Sequence, residues 1–255
     1  ANTSEIILYG LDYQDDTLTI DFSNGLIEIP IAFHGGVAGY DTLVVKGGDF
    51  SKSMFLASGS DSGSLLLDDV VIHYTGLEPI DLLGDSQINF IFNDDAGESN
   101  QIRLIDYGTA SDGHLKIDSN GTGGFEEVWF QNPSASLTIN GLDGDDTIII
   151  DSLDASFAAK LIINGGAGED TLVGPNVPNT WTVTGLNAGN LTSTLVSGSL
   201  NATFSEIENL TGGNQQDGFS FSANGGVTGS IDDGPGALQI TLGQFVSLSG
   251  DYSFS

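Results

Sequence analysis

Apolar positions in this 255-residue chain come in short runs, among them "DTLTIDF", "DTLVV", "INFIF", "SLTIN", "TIIID", "KLIIN", "TWTVTG", "FSFS" and "ALQITL". Clusters of Gly, Asn, Asp and Ser bound them, as turns bound strands. Several runs are continuously apolar and do not alternate. That pattern suits strands covered on both faces or stacked in layers. One window, "SLDASFAAKL" from Ser152 to Leu161, has the spacing of a short helix or of a corner between strands. The chain reads as all-β.

The runs repeat at two scales. Asn140-Gly141-Leu142-Asp143-Gly144-Asp145-Asp146-Thr147-Ile148 aligns with Asn164-Gly165-Gly166-Ala167-Gly168-Glu169-Asp170-Thr171-Leu172, and fainter echoes follow at "GGNQQDGFSF" and "DDGPGALQI". On the longer scale "GLDYQDDTLTIDFS" from Gly10 matches "GLDGDDTIIIDS" from Gly141, and "FHGGVAGYDTLV" matches "INGGAGEDTLV". Likewise "YTGLEPI" matches "FSEIENL", which puts Glu78 on Glu208. A strand-turn-strand phrase returning at a fixed interval predicts a parallel β-solenoid (β-helix) of ~24-residue coils, with an internal duplication of ~130 residues. Residues 1–124 form the first copy and 125–255 the second, continuous with it. Apolar ladders are expected at Ile139 with Ile163, Ile148 with Leu172, and Leu18 with Leu43. The alternative is two tandem β-sandwich domains joined near Ser119 to Gly124.

The repeated turn carries carboxylates each time. Asn-Gly and Asp-Gly are ordinary turn formers, and Asp bonds its own backbone two residues on. Carboxylates stacked above one another also repel, which favours a cation between them. Calcium takes six to eight hard oxygen ligands. The candidate ligands are Asp143, Asp145, Asp146, Glu169 and Asp170, then Asp15, Asp16 and Asp41. The matched Glu78 and Glu208 are expected to share a structural role such as accepting turn N–H groups.

Composition narrows the function. Five Lys and Arg stand against 35 Asp and Glu, a formal net charge of −30. That excludes nucleic acid, which needs a basic footprint, and disfavours anionic membrane surfaces. No 18-residue apolar run offers a membrane span. With no cysteine, neither disulfides nor Cys-rich zinc sites are available. The opening "ANTSEIILYG" has no signal-peptide pattern and reads as a processed or internal start. Lys46, Lys52, Arg103, Lys116 and Lys160 are scattered, and His34, His73 and His114 stand alone, so no catalytic constellation emerges. Trp129 and Trp181 are expected to pack within strands.

The phrase "GGAGEDTLV" resembles the calcium-binding nonapeptide of β-roll proteins, G-G-x-G-x-D-x-U-x; "GLDGDDTII" departs from it at Leu142, and the first-half copies each carry one inserted residue. Together with "YTGLEPI", residues 130–174 and residues 204–234 resemble a module of very large, repeat-rich bacterial cell-surface proteins, those of the LEPR-XLL type and haemagglutinin-like adhesins. The resemblance implies secretion to the cell surface and a structural, non-enzymatic role in a fibre or adhesin. It also implies neighbouring repeats or copies of itself as partners, with cell-surface glycans beside them. A carbohydrate-binding module or a polysaccharide-active β-helix enzyme is the alternative.

Overall fold

The computed structural model describes residues 3–94, 97–119, 124–195, 198–234 and 239–242. Among these there is no helix, and the strands form a mostly parallel sheet that does not close on itself. The antiparallel sandwiches considered above are not what the chain builds.

Parallel ladders dominate. Strands β1 (Ile6–Tyr9), β3 (Ile31–His34) and β6 (Val70–Thr75) stack in one. A second holds β2 (Thr17–Asp21), β4 (Thr42–Gly59), β7 (Ile80–Asn93) and β10 (Val128–Gln131). The far part of β7 then continues through β11 (Ser136–Asp143), β13 (Lys160–Ala167) and β17 (Gly198–Ser205). A further ladder runs through β8 (Gln101–Asp106), β12 (Thr147–Ile150), β14 (Thr171–Val173), β18 (Asn209–Thr211) and β20 (Ile231–Asp232). The last holds β15 (Asn179–Gly185), β19 (Gly218–Phe221) and β21 (Gln239–Leu242). Leu18 pairs with Leu43, Ile139 with Ile163 and Ile148 with Leu172, the registers expected from the repeats.

The uniform 24-residue step is corrected. Paired positions lie 24 residues apart between β11 and β13 and 25 apart between β2 and β4, but 41 apart from β3 to β6 and 47 from β7 to β11. The longer steps hold antiparallel excursions. Strands β4, β5 (Ser62–Leu67) and β6 form one meander; β15, β16 (Ala188–Leu195) and β17 form another. Both shift register at the same place, between Ala57 and Gly59 and between Val183 and Gly185. Both close alike: Leu77 N–H donates to the Asp61 carbonyl, and Ile207 N–H to the Asn187 carbonyl. A third excursion, through β9 (His114–Asp118), joins β8 to β10. The Ser152–Leu161 window is a corner, with the Phe157 N–H on the Asp154 carbonyl.

The core is a column of stacked side chains. Phe55 lies flat on Phe92 at 5.3 Å, Phe90 on Phe130 at 4.1 Å and Trp181 on Phe219 at 5.6 Å, each nearly parallel. Phe55 with Phe92 and Trp181 with Phe219 are register partners in parallel ladders, which sets one ring above the other in the offset-stacked geometry aromatics favour. A polar ladder runs beside them. Asn164 Nδ2 donates to Asn140 Oδ1, and Asn140 Nδ2 to Asn93 Oδ1, both at 2.6 Å; Ser205 Oγ donates to Asn164 Oδ1 at 2.8 Å.

Ile163, fully buried between Ile139 and Phe204, tests the column. Ile163→Ala is expected to cost about 2–5 kcal/mol in urea unfolding, and Ile162→Ala, on the outward face, clearly less. Equal costs would show that the inward column is not the principal core.

Candidate functional site

The corners that carry the acids share one construction, in which a glycine lies against a carboxylate five or six residues later in the chain. A Cβ placed on Gly141 would lie 2.5 Å from Asp146 Oδ2, on Gly165 2.6 Å from Asp170 Oδ2, and on Gly212 2.0 Å from Asp217 Oδ2. Gly10 faces Asp16 Oδ2 at 2.8 Å and Gly35 faces Asp41 Oδ2 at 2.6 Å in the same way. The chain at Glu206 closes the other side, since a Cβ on Gly165 would stand 1.9 Å from its carbonyl oxygen. No side chain fits, so these glycines are required by close approach. Gly166 (φ 119°) combines a positive φ with a Cβ position 1.8 Å from the Leu142 carbonyl oxygen, and Leu142 takes its place in the other copy at φ 78°, a conformation costly to a side chain. In the first half the inserted residue is absorbed by Tyr13 (φ 62°) and Ala38 (φ 56°).

The carboxylates tie each corner to its neighbours. Asn100 N–H donates to Asp146 Oδ1, Asp146 N–H to Asp170 Oδ1 and Asp170 N–H to Glu208 Oε2, each at 2.9 Å. Asp16 N–H donates to Asp41 Oδ1 at 2.7 Å, the same bond 130 residues earlier. Asn187 Nδ2 donates to the other oxygen of Glu208 at 2.7 Å. A second, outer line runs the opposite way. Tyr40 N–H donates to Asp15 Oδ1 and Glu169 N–H to Asp145 Oδ1, both at 2.9 Å. An ionised carboxylate is an acceptor without a donor, so it serves a bend whose N–H groups have left the strand ladder. Such charge-assisted bonds contribute about 1.5–3 kcal/mol each.

The eight acids singled out by sequence thus separate by position. Asp41, Asp146 and Asp170 are buried, Asp16 is half-buried, and Asp15, Asp143, Asp145 and Glu169 are exposed. In Asp146 and Asp170 one oxygen is held by the N–H, and the other, against glycine, has no hydrogen-bond partner. Three acids missed by the sequence reading play similar parts. Glu126 is buried, Asp85 Oδ1 accepts the Gly48 N–H at 3.0 Å, and Asp217 Oδ1 accepts the Asn179 N–H at 2.6 Å. Of the matched pair expected to share an amide-accepting role, Glu208 fills it, whereas Glu78 is exposed. The echo at Asp233 lies partly outside the described residues. Among the described residues, the group of three acids with oxygens within 4.8 Å of one another lies elsewhere, at Asp106, Asp112 and Asp154.

Trp181 is fully buried against Phe204 and Phe219. Trp129 stacks on Tyr107 at 4.8 Å and donates its Nε1–H to Glu127 Oε1. Compared with protein-family models, with curated proteins and with solved structures, the chain matches none.

Burial raises the Asp85, Asp146 and Asp170 carboxyls to about 6 and Glu126 to about 8. Folded-state values above the ordinary ones mean that the folded chain holds protons the unfolded chain has released. Their stabilisation is therefore complete below the ordinary carboxylate range and lost as pH rises through 6 and then 8. The melting temperature in chelator is expected to fall from about pH 5 to about pH 8, and the Asp146→Asn, Asp170→Asn double variant to lose part of that slope. A melting temperature that rises across the interval would contradict this.

Proposed function

We propose that the parallel ladders are the faces of one β-solenoid, and that the chain is a length of extracellular scaffold from a bacterial surface fibre or adhesin. The observation that carries this reading is the tying of successive corners by Asp41, Asp146, Asp170 and Glu208. The acids at the most strongly repeated positions are engaged with backbone N–H groups, which is the chemistry of a frame. On this reading the steps are 21 to 48 residues long, with the meanders as lateral excursions from an otherwise continuous stack.

Two further observations support it. The bonds Asp16–Asp41 and Asp146–Asp170 recur 129 to 130 residues apart, as in modules joined in series. Among the described residues β1 pairs only with β3 and β2 only with β4, so both leave one strand edge open at the same end. Ile7, Tyr9, Leu11 and Tyr13 are exposed there. An open edge with apolar side chains is a template for another strand, and on this reading a preceding module or a second copy continues the stack. The exposed Asp15, Asp143, Asp145 and Glu169 give the exterior its negative field, and calcium in the surrounding medium offsets their repulsion.

Surface labelling tests the proposal. An antibody raised against the purified chain is expected to label intact cells of the organism that makes it, as strongly as permeabilised ones. Labelling that appears only after permeabilisation would overturn the extracellular assignment.

A further inference from the structure

The fold contains the same opening coil twice, once covered and once bare. In the long repeat β1 and β2 match residues 137–140 of β11 and β12, which sets Ile6 against Leu137, Leu8 against Ile139, Leu18 against Ile148 and Asp16 against Asp146. Both coils rest on the same kind of neighbour. Leu8 pairs with Phe33 as Ile139 does with Ile163, and Leu18 with Leu43 as Ile148 does with Leu172. They differ on the other side. There the far part of β7 covers β11, with Leu137 on Phe90 and Ile139 on Phe92, and β8 covers β12, with Ile148 on Ile102. Among the described residues no strand pairs at those places on β1 and β2.

The bare coil is unsatisfied where the covered one is complete. Leu137, Ile139 and Ile148 are fully buried, whereas Ile6 and Leu18 are half-buried and Leu8 is 36% exposed. Residues 97–100 lie on the corner between β11 and β12: Gly97 N–H donates to the Asp143 carbonyl, Asp145 N–H to Ser99 Oγ and Asn100 N–H to Asp146 Oδ1. On the matching corner Leu11 and Tyr13 are exposed. Asp16 Oδ2 accepts the Leu11 N–H at 2.6 Å, and Asp16 Oδ1 accepts no N–H among the described residues.

The polar ladder ends in the same way. Asn93 tops the column of Asn140, Asn164 and Ser205. Its match is the column of Tyr9, His34 and Thr75, in which Tyr9 stacks on His34 at 4.9 Å and His34 Nδ1 is hydrogen-bonded to Thr75 Oγ1 at 2.8 Å. Tyr9 is 73% exposed, and no described residue stands in the place of Asn93. The backbone is open too. Ile6 and Gly10 N–H donate to the Pro30 and His34 carbonyls, so by strand alternation the Ile7 and Tyr9 N–H groups point away from β3.

We infer that this edge takes up the closing segment of a preceding module of the same construction, added parallel to β1 and β2 in the register that β7 and β8 hold on β11 and β12. Strand addition of this kind draws affinity from the backbone and specificity from alternate side chains. The chemistry it asks for is that of residues 89–93 and 100–104: large apolar residues at alternate positions, an Asn closing the first strand, and a bend N–H for Asp16. An intact second copy cannot offer these strands, because its far β7 lies between β4 and β11 and its β8 between β9 and β12. Nor can it offer β19, the match to the far part of β7, which lies between β15 and β21. The inference rests on the continuous stack proposed above and names the strands that extend it.

A synthetic peptide with the sequence of residues 86–106 tests the pairing on the intact chain, read by amide hydrogen exchange. The salt is about 0.15 M, which screens exposed charges beyond about 8 Å. At saturating peptide the Ile7 and Tyr9 amides are expected to exchange at least about tenfold more slowly. A peptide carrying Phe90→Ser and Phe92→Ser is expected to give no protection. In the chain, Leu8→Asn on the inward face is expected to abolish binding, and Ile7→Asn on the outward face to leave it intact, with the melting temperature of both variants that of the parent. No protection by the natural peptide, equal protection by the serine peptide, or Ile7 and Tyr9 amides already slow in a self-associated chain without peptide would each overturn the assignment. Surface labelling does not read this pairing, so a peptide that fails to bind leaves the extracellular reading standing, and label confined to permeabilised cells leaves the pairing standing.

Discussion

A stack of parallel strands satisfies its backbone along each strand but not where the chain bends. At the acid-bearing bends an N–H group leaves the ladder. A buried N–H without an acceptor is destabilising, and here the acceptor is a carboxylate from a neighbouring bend. This choice fixes much of the local sequence. The Asp170 carboxylate reaches the Asp146 N–H only because Gly165 has no side chain, and Gly165 in turn lies within touching distance of the Glu206 carbonyl. Glycine, acid and spacing are three consequences of one contact.

The same contact explains how so acidic a chain remains folded. Carboxylates in the corners are held by donors, and burial raises Glu126 to about 8, so that acid carries little charge near neutrality. The outer acids Asp15 and Asp145 accept the Tyr40 and Glu169 N–H groups and stay exposed to water. Aromatic and asparagine columns hold the strand faces together while the acids hold the bends.

Much of the stacking was legible in the sequence because identical phrases at equal spacing put identical residues in register: Ile139 on Ile163, Ile148 on Leu172, Leu18 on Leu43. The coil length was not, because the antiparallel excursions from β4 to β6 and β15 to β17 leave no mark at the 24-residue period. Asn140 and Asn164 read as turn formers before glycine, whereas in the fold they build a ladder that depends on a third residue, Asn93, outside the repeat. The turn acids were found, but their partners are backbone amides, which no pattern of side chains reveals. Asp217 kept the five-residue distance from Gly212 after its turn had lost the third glycine, and that distance was the signal to follow. The Ser152–Leu161 window, whose spacing allowed a short helix or a corner between strands, is the corner, with Asp154 buried in it.

Amide hydrogen exchange in the native state measures the corner bonds most directly. If the carboxylates hold the bends, the N–H groups of Asp16, Asn100, Asp146 and Asp170 exchange as slowly as those of Ile139 and Ile163 in the strands they join. Asp146→Asn should then speed the Asn100 amide while leaving those strand amides slow. Corner amides that exchange at the rate of exposed turns in the intact chain would contradict the account and leave the apolar column as the sole support of the stack.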